Sequence, residues 1–294
     1  MSLWPAVMSG LAVGAVYALI ALGYNVVFSA TGILNFAHGE FFMVGTMIGA
    51  YLFVDVGLNP ILAVILVALL AGLLGVVEER VAVRPAMGDG RGAKSLGWVL
   101  PTLGASILIR SVIALIFGPE LKRFPPILPD KVWKIGEAYL TSTQLSLIVL
   151  AVAAGFGLHL LYDKTDLGRA LSAVSQDADA ARLRGLPIAA LTAIAFALGS
   201  GLAAVAGFFA APFVTASPFT GLVFGLKGFV AAAIGGIPDL RGALLGGLAL
   251  GVVESVGADI FGGGYRDSVV FAALIVVLLV KPNGLLGRGE VRAV

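Results

Sequence analysis

Long stretches without a charged residue constrain this chain more than any other feature of its sequence. Residues 185–226 contain no Asp, Glu, Lys or Arg, and neither do residues 5–28 or 41–54. A helix needs about 20 consecutive apolar residues to cross the hydrocarbon core of a bilayer. These stretches therefore predict membrane-spanning helices. Their apolar residues are continuous and do not alternate with polar ones, which disfavours a β-barrel.

Composition supports this class and excludes others. The chain is 59% hydrophobic and 12% charged, whereas soluble domains carry about 25% charged residues. Its net charge of +2 is too small to indicate a nucleic-acid partner. The absence of cysteine excludes disulfides, thiolate metal sites and thiol nucleophiles.

No catalytic motif is present in the sequence. The segment GDGRGAKS at 88–95 differs from a phosphate-binding loop because Ala93 occupies the glycine position before Lys94 and no strand precedes it. We therefore expect no enzymatic activity and no metal or cofactor bound by this chain. If ATP drives the protein, another subunit binds the ATP.

We expect one all-α transmembrane domain over residues 1–294, a polytopic helical bundle of eight or nine spanning segments. The first apolar run has no basic region and no clear cleavage site, so we expect a retained span, with a cleaved signal peptide as the alternative. The last segment is short, which leaves eight as the alternative count. The predicted segments are 5–28, 39–55, 60–77, 97–117, 143–162, 188–210, 221–237, 242–260 and 267–280.

Basic residues in the loops predict the orientation. The loops after the third and fifth segments and the C-terminal tail face one side, and the loop at 118–142 faces the other. The first side carries Arg80, Arg84, Arg91, Lys94, Lys164, Arg169, Arg182, Arg184, Lys281, Arg288 and Arg292, and the second carries Lys122, Arg123, Lys131 and Lys134. We expect the N-terminus outside and the C-terminus in the cytoplasm.

The segment NFAHGE at 35–40 places ionisable residues between two charge-free blocks. A charge near the bilayer centre costs about 2.5–3.5 kcal/mol on insertion scales, so such residues face water, a partner or a substrate path. For Asn35, His38 and Glu40 two interpretations stay open: a role in a translocation path or its gating, or capping of a helix end at the interface.

Further ionisable residues interrupt the later apolar blocks. Lys227 and Glu254 are interpreted either as an interhelical ion pair or as residues that line a path. Arg110 stands in a third such block. His159, near a predicted helix end, is expected to be interfacial. A proton relay through His38, Glu40 and Glu254 would indicate an ion-coupled secondary transporter instead.

Glycines recur at the four-residue spacing that lets helices approach closely, and we expect most of these pairs to serve packing. They are Gly10 and Gly14, Gly45 and Gly49, Gly242 and Gly246, and Gly247 and Gly251. A weak internal sequence similarity relates residues 32–49 to residues 221–236. Transporters often contain such repeats around a central site.

The loop at 165–187 predicts a short amphipathic helix. Asp177 and Asp179 come early and Arg182 and Arg184 late, which suits the helix dipole, and Gly185 would end the helix. We interpret this helix as a docking segment for a cytoplasmic partner, with a solvated surface loop as the alternative.

Several segments together resemble the LivH-type permease subunits of branched-chain amino acid ABC importers, over nearly the whole chain. They are GLAVGAVYALIALGYNVVFSATGILNFAHGEFFMVG at 10–45, EERVAVRP at 78–85, TLGASILIRS at 102–111, SPFTGLVFGLKGFVAAAIGGIPDLRGALLGGLALGVVES at 217–255 and YRDSVVFAALIVVLLVKPNGLLGR at 265–288. The segments NFAHGE and GLKGFVAAAIGG are the specific ones. Asp239 and Arg241, in GGIPDLRGA at 235–243, stand where the resemblance leads us to expect an uncharged turn.

The resemblance implies a bacterial cytoplasmic-membrane permease that moves branched-chain or related amino acids by alternating access. It also implies a second permease subunit (a LivM-like chain or a second copy), two cytoplasmic ATPases that bind ATP and Mg²⁺, and a periplasmic or lipid-anchored solute-binding protein. The residues that match the coupling segment of the family are Asp177, Asp179, Ala181, Arg182, Arg184 and Gly185. Urea, short amides or other amino acids remain alternative substrates.

Overall fold

The computed structural model describes residues 3–87, 96–129 and 131–287, and most of these residues are helical. The helices are α1 (Trp4–Thr31), α2 (His38–Ala50), α3 (Pro60–Glu78), α4 (Arg84–Met87), α5 (Val99–Phe117), α6 (Ser142–Lys164), α7 (Asp166–Gln176), α8 (Ala178–Leu183), α9 (Ile188–Val214), α10 (Thr220–Gly235), α11 (Leu240–Phe261) and α12 (Arg266–Val280). Residues 88–95, which hold the segment GDGRGAKS, and the basic residues Arg288 and Arg292 lie outside the described residues.

Shorter elements connect or extend these helices. The π-helical turns Tyr51–Asp55 and Glu79–Val83 continue α2 and α3, and 3₁₀ turns lie at Leu96–Trp98 and Gly263–Tyr265. The one hairpin in the described part of the chain pairs β1 (Val132–Ile135) with β2 (Ala138–Thr141) in antiparallel register.

The predicted membrane-spanning bundle is confirmed. Within the described residues, seven helical stretches are long and apolar enough to cross a bilayer: Trp4–Thr31, Pro60–Ala86, Val99–Phe117, Ser142–Lys164, Ile188–Val214, Leu240–Phe261 and Gly263–Val280. The two remaining predicted segments are α2 and α10, with only 13 and 16 residues. Both are helical as expected, but each is shorter than a full span.

Helix α1 forms the centre of the bundle and packs against α11 through glycines. A Cβ atom built on Gly251 would lie 2.3 Å from the Cα atom of Gly14, and one built on Gly10 would lie 2.8 Å from the carbonyl oxygen of Gly251. The predicted packing role of the glycine pairs is confirmed here, because only residues without a side chain let these two backbones meet.

The short helices α2 and α10 begin in the interior of the bundle. The N-terminal turn of α2 contacts Gly199, near the middle of α9, and the first turns of α10 place Phe224 against Tyr17, near the middle of α1. Helix α2 is parallel to α9, and α10 is parallel to α1. The two short helices are therefore antiparallel, and their N-terminal ends meet at Gly39 and Gly225.

The two halves of the chain repeat one pattern in opposite directions. Helices α1 and α9 have 28 and 27 residues, and each is followed by a loop and then by one of the short helices. The weak sequence similarity between residues 32–49 and 221–236 involves α2 and α10. Inverted repeats with interrupted helices are a common architecture of transporters and place their sites where the short helices meet.

The predicted single helix in the loop 165–187 is wrong in detail, because the structure has two helices there. Asp177 adopts an extended conformation with φ of −157°, which ends α7. Its carboxylate then accepts hydrogen bonds from the backbone amides of Asp179 and Ala180 at 3.0 and 2.9 Å. Asp177, which was expected near the start of a single helix, thus lies between two helices and caps the second.

We expect Gly251→Ala to destabilise the bundle, because its new methyl group would meet the backbone of Gly14. Overpacking of this kind costs about 1–3 kcal/mol, and the temperature of half-unfolding in detergent should fall by several degrees. The matched control is Gly104→Ala on α5, where a Cβ atom meets nothing within 4 Å. Equal stability of the two variants would contradict this packing.

Candidate functional site

A small cavity lies where the N-terminal ends of α2 and α10 meet. Its volume is about 50 Å³, and both short helices and α1 contribute to its wall. Most of the wall is apolar, and Asn35 and Glu40 bring polar side chains to it. The lining residues are Tyr24, Leu34, Asn35, Phe36, Gly39, Glu40, Gly221, Leu222, Gly225, Leu226 and Phe229.

Glu40 is buried in the first turn of α2, where the helix dipole favours a negative charge. Its Oε1 atom accepts a hydrogen bond from the Ser106 hydroxyl at 2.8 Å and forms an ion pair with the Arg110 guanidinium. Its Oε2 atom has no hydrogen-bond partner. The arrangement neutralises one side of the carboxylate and leaves the other side free.

Asn35 connects this cavity to the end of α3. Its side-chain amide donates a hydrogen bond to Glu78 Oε2 at 3.0 Å, and its Oδ1 atom accepts one from the Ala37 amide at 2.9 Å. Asn35 therefore shapes the turn before α2 but does not cap the helix, because the N-cap residue is Ala37 and no side chain caps α2. Glu78 itself is buried and does not line the cavity.

His38 lies beside the cavity and does not line it. Its ring is fully buried and tilted against Tyr24, with 4.4 Å between the ring centroids. A Cβ atom on Gly23 would lie 2.5 Å from its Nε2 atom. The imidazole thus fills the crossing of α1, α2 and α9, and its position depends on the two glycines Gly23 and Gly199.

Lys227 and Glu254 form an interhelical ion pair, one of the two interpretations that the sequence left open. The ammonium of Lys227 lies 2.9 Å from Glu254 Oε1 and 2.9 Å from Asp267 Oδ1. The Tyr17 hydroxyl donates a hydrogen bond of 2.7 Å to Glu254 Oε2. Four helices, α1, α10, α11 and α12, are joined by this cluster.

The proton relay considered from the sequence has no continuous path among the described side chains. Glu254 belongs to the Lys227 cluster, and Glu40 binds Ser106 and Arg110. No hydrogen bond in the described part of the chain links His38 to either carboxylate. The three residues occupy separate environments.

A second polar network joins the residues that follow α3 to the first turn of α9. Arg84 donates to both carboxylate oxygens of Glu79, at 3.0 and 2.7 Å, and to the carbonyl oxygen of Ala189 at 3.0 Å. The Thr192 hydroxyl also donates to Glu79, at 2.9 Å. A polar cavity of about 330 Å³ separates this network from α7 and α8.

The predicted coupling segment at 165–187 has a buried side and an exposed side. Ala181 is 3% exposed and packs with Val26, Leu171 and Leu191, so it anchors α8 to the bundle. Leu183 is 89% exposed on the same short helix. The predicted residues Asp177, Asp179, Arg182, Arg184 and Gly185 are also exposed, and Gly185 has a positive φ of 81°.

Sequence reasoning identified Glu40 and Lys227 but not all of their partners. Ser106, Asp267 and Tyr17 carried no signal in the sequence, because they are brought to the carboxylates and the ammonium only by the packing of helices. Leu183 could have been found as an apolar residue among charges in a helix that faces water. His159, expected at an interface, lies 2.9 Å from the Arg241 guanidinium.

Comparison with known proteins gives a consistent result. The family described as "Branched-chain amino acid transport system / permease component" matches residues 6–279. The permease protein BraD of the high-affinity branched-chain amino acid transport system of Pseudomonas aeruginosa is 37% identical over an aligned length of 301 residues. The alignment covers 98% of this chain and 96% of that one. The corresponding protein LivH of Escherichia coli K12 is 34% identical over 300 residues, covering 97% and 96%.

A more distant relative and one solved structure extend the comparison. The probable permease protein LivH of Methanocaldococcus jannaschii is 25% identical over 284 residues, covering 92% of this chain and 88% of that one. The structure of PsaBC from Streptococcus pneumoniae in complex with Fab aligns with a TM-score of 0.50 at 13% identity, covering 94% and 91%. That likeness concerns the fold alone.

We expect Lys227→Met to destabilise the protein, because it leaves the buried carboxylate of Glu254 without its cation. Removing one partner of a buried pair costs about 3–5 kcal/mol, which should lower the temperature of half-unfolding in detergent. The double variant Lys227→Met with Glu254→Gln removes both charges and should recover most of that loss. A single variant as stable as the wild type would contradict a structural ion pair.

Proposed function

The chain belongs to the family of branched-chain amino acid permease components, and on that basis we propose that it is the membrane-spanning subunit of an ABC importer for branched-chain amino acids. It provides one half of a translocation path and binds no nucleotide itself. ATP and Mg²⁺ are bound by two partner ATPases. A second permease subunit and a solute-binding protein complete the proposed importer.

The junction of α2 and α10 carries this proposal. Two short helices begin inside the bundle and enclose a cavity with polar groups on one side and apolar walls on the other. A zwitterion with a hydrocarbon side chain needs both kinds of surface. We assign Asn35 and Glu40 to the path, and His38, Lys227 and Glu254 to the contacts that hold α2 and α10 while the path opens and closes.

The exposed apolar side of α10 favours the presence of a second permease subunit. Phe219, Leu222, Val223 and Leu226 recur at helical spacing and are exposed, although the other face of α10 is buried. Leu222 and Leu226 also line the cavity. A second subunit that covers this side would close the path between two chains.

Coupling to ATP hydrolysis is assigned to α8 and the residues around it. The exposed residues Leu183, Arg182 and Asp179 offer one apolar and two charged groups to an ATPase, and Ala181 fixes α8 against the ends of α1 and α9. Movement of α8 would therefore shift both long helices, whose other contacts hold α2 and α10. This side faces the cytoplasm in the proposed orientation, with the N-terminus outside.

Reconstitution of the complete importer in proteoliposomes tests this function. We expect leucine uptake only when both ATPases, ATP and the solute-binding protein are present, because this chain supplies the path and not the energy. Leu183→Asp should reduce uptake to about a tenth or less, because it puts a charge into the apolar contact with the ATPase. Both results are measured as initial rates with radiolabelled leucine.

The matched control is Leu121→Asp, which changes an exposed leucine in the loop before β1. It should leave the rate unchanged and show that Leu183→Asp does not act through membrane insertion. Uptake by this chain alone, driven by an ion gradient, would contradict the proposed function. Normal uptake by Leu183→Asp would contradict only the docking role of α8.

A further inference from the structure

We propose that Glu40 Oε2 binds the ammonium group of the transported solute in the cavity between α2 and α10. The inference rests on the proposed function, because it names the group that the permease recognises. It assigns to one atom of this chain a contact with the primary amine of an amino acid.

The two oxygens of Glu40 have different environments. Oε1 is occupied by the Ser106 hydroxyl and the Arg110 guanidinium. Oε2 has no partner, although Glu40 is only 1% exposed. Buried polar atoms are nearly always hydrogen-bonded in folded proteins, so a buried carboxylate oxygen that is left free indicates a site for a ligand that donates.

Glycines surround this oxygen at the wall of the cavity. A Cβ atom on Gly221 would lie 2.5 Å from Glu40 Oε2, and one on Gly225 would lie 2.6 Å from the Cα atom of Gly39. Glu40, Gly221, Gly225 and Gly39 all line the cavity. The absence of side chains at these positions lets the two helices meet, and no side chain at position 221 occupies the space against Oε2.

The chemistry of the wall selects a compact cation with an apolar body. A carboxylate oxygen attracts a donor with positive charge and repels an anion. Phe36, Leu222 and Leu226 form apolar walls around the same space, which suits a hydrocarbon side chain. An ammonium group is small and has three donors, so it fits beside the oxygen where a planar guanidinium would need a wider space.

The first turn of α10 offers a place for the carboxylate of the bound zwitterion. Helix α10 has no side-chain cap at its N-terminus, and Gly221 in its first turn lies beside Glu40 Oε2. The first amides of a helix and its dipole favour a negative group. A carboxylate two bonds away from the bound amine would therefore face the first turn of α10.

Equilibrium dialysis against the purified permease–ATPase assembly, without solute-binding protein, tests the contact. The probes are L-leucine, 3-methylbutylamine, which keeps the amine and lacks the carboxylate, and 4-methylpentanoate, which keeps the carboxylate and lacks the amine. We expect the first two to bind and the third to bind at least about tenfold more weakly, because a charge-assisted hydrogen bond is lost. Glu40→Gln should weaken binding of both amines by a similar factor.

Two further variants keep the result interpretable. Gly221→Ala adds a methyl group against Oε2 without changing any charge and should also weaken the binding of both amines. Glu78→Gln is the matched control, because Glu78 is buried nearby, does not line the cavity and keeps an acceptor for Asn35 as a glutamine. It should bind the three probes as the wild type does.

Trp98 gives a second readout in the same samples. Its ring stacks on Phe36 at 6.0 Å between centroids, and Phe36 lines the cavity. With Trp4→Phe and Trp133→Phe, Trp98 is the remaining tryptophan of this chain, so its fluorescence should change only with probes that enter the cavity. A change with leucine and 3-methylbutylamine that Gly221→Ala abolishes supports the site.

The outcomes separate this inference from the proposed function. Equal binding of 4-methylpentanoate and 3-methylbutylamine, or equal binding of leucine by the wild type, Glu40→Gln and Gly221→Ala, overturns the ammonium site. Binding too weak to detect in the wild type overturns it as well. ATP-driven uptake of leucine by the complete importer decides the permease function by itself, whichever result the dialysis gives.

Discussion

Close contact between two short helices inside the bundle is the constraint on which the rest of the structure depends. Gly39 and Gly225 let α2 and α10 meet with their N-terminal ends, and Gly221 leaves room beside them. A side chain at any of these positions would separate the helices or fill the cavity between them. Because no hydrocarbon chain can satisfy a polar group, Glu40 and Asn35 beside this junction find partners within the protein, on α5 and α3.

The buried charges of Glu40 and Lys227 also join neighbouring helices. Glu40 links α2 to α5 through Arg110, and Lys227 links α10 to α11 and α12. The short helices are thus held by ion pairs at their outer sides and by glycine contacts at their meeting point.

The sequence predicted the fold class and the place of every long helix, because apolar length and the absence of charge are local properties. It left the pairing of Lys227 with Glu254 as one of two interpretations, since opposite charges in apolar helices either pair or line a path. It did not predict that α2 and α10 begin inside the bundle, because the loops before them carry no charged residue that would mark a membrane surface. The orientation of Ala181 toward the core, and the division of the coupling segment at Asp177, depend on tertiary contacts and capping that spacing does not reveal.

The proposed function requires that the face shared by α2 and α10 borders an aqueous path, whereas other exposed apolar residues face lipid. The chain has no cysteine, so single cysteines report their own surroundings. Leu222→Cys at the cavity and Leu69→Cys on α3 replace leucines of similar exposure, 56% and 64%. In the assembled importer, a water-soluble methanethiosulfonate should modify the cysteine at position 222 and leave the one at 69 unmodified, because the reactive thiolate forms only in water. Equal rates at both positions, or no reaction at 222, would contradict the account.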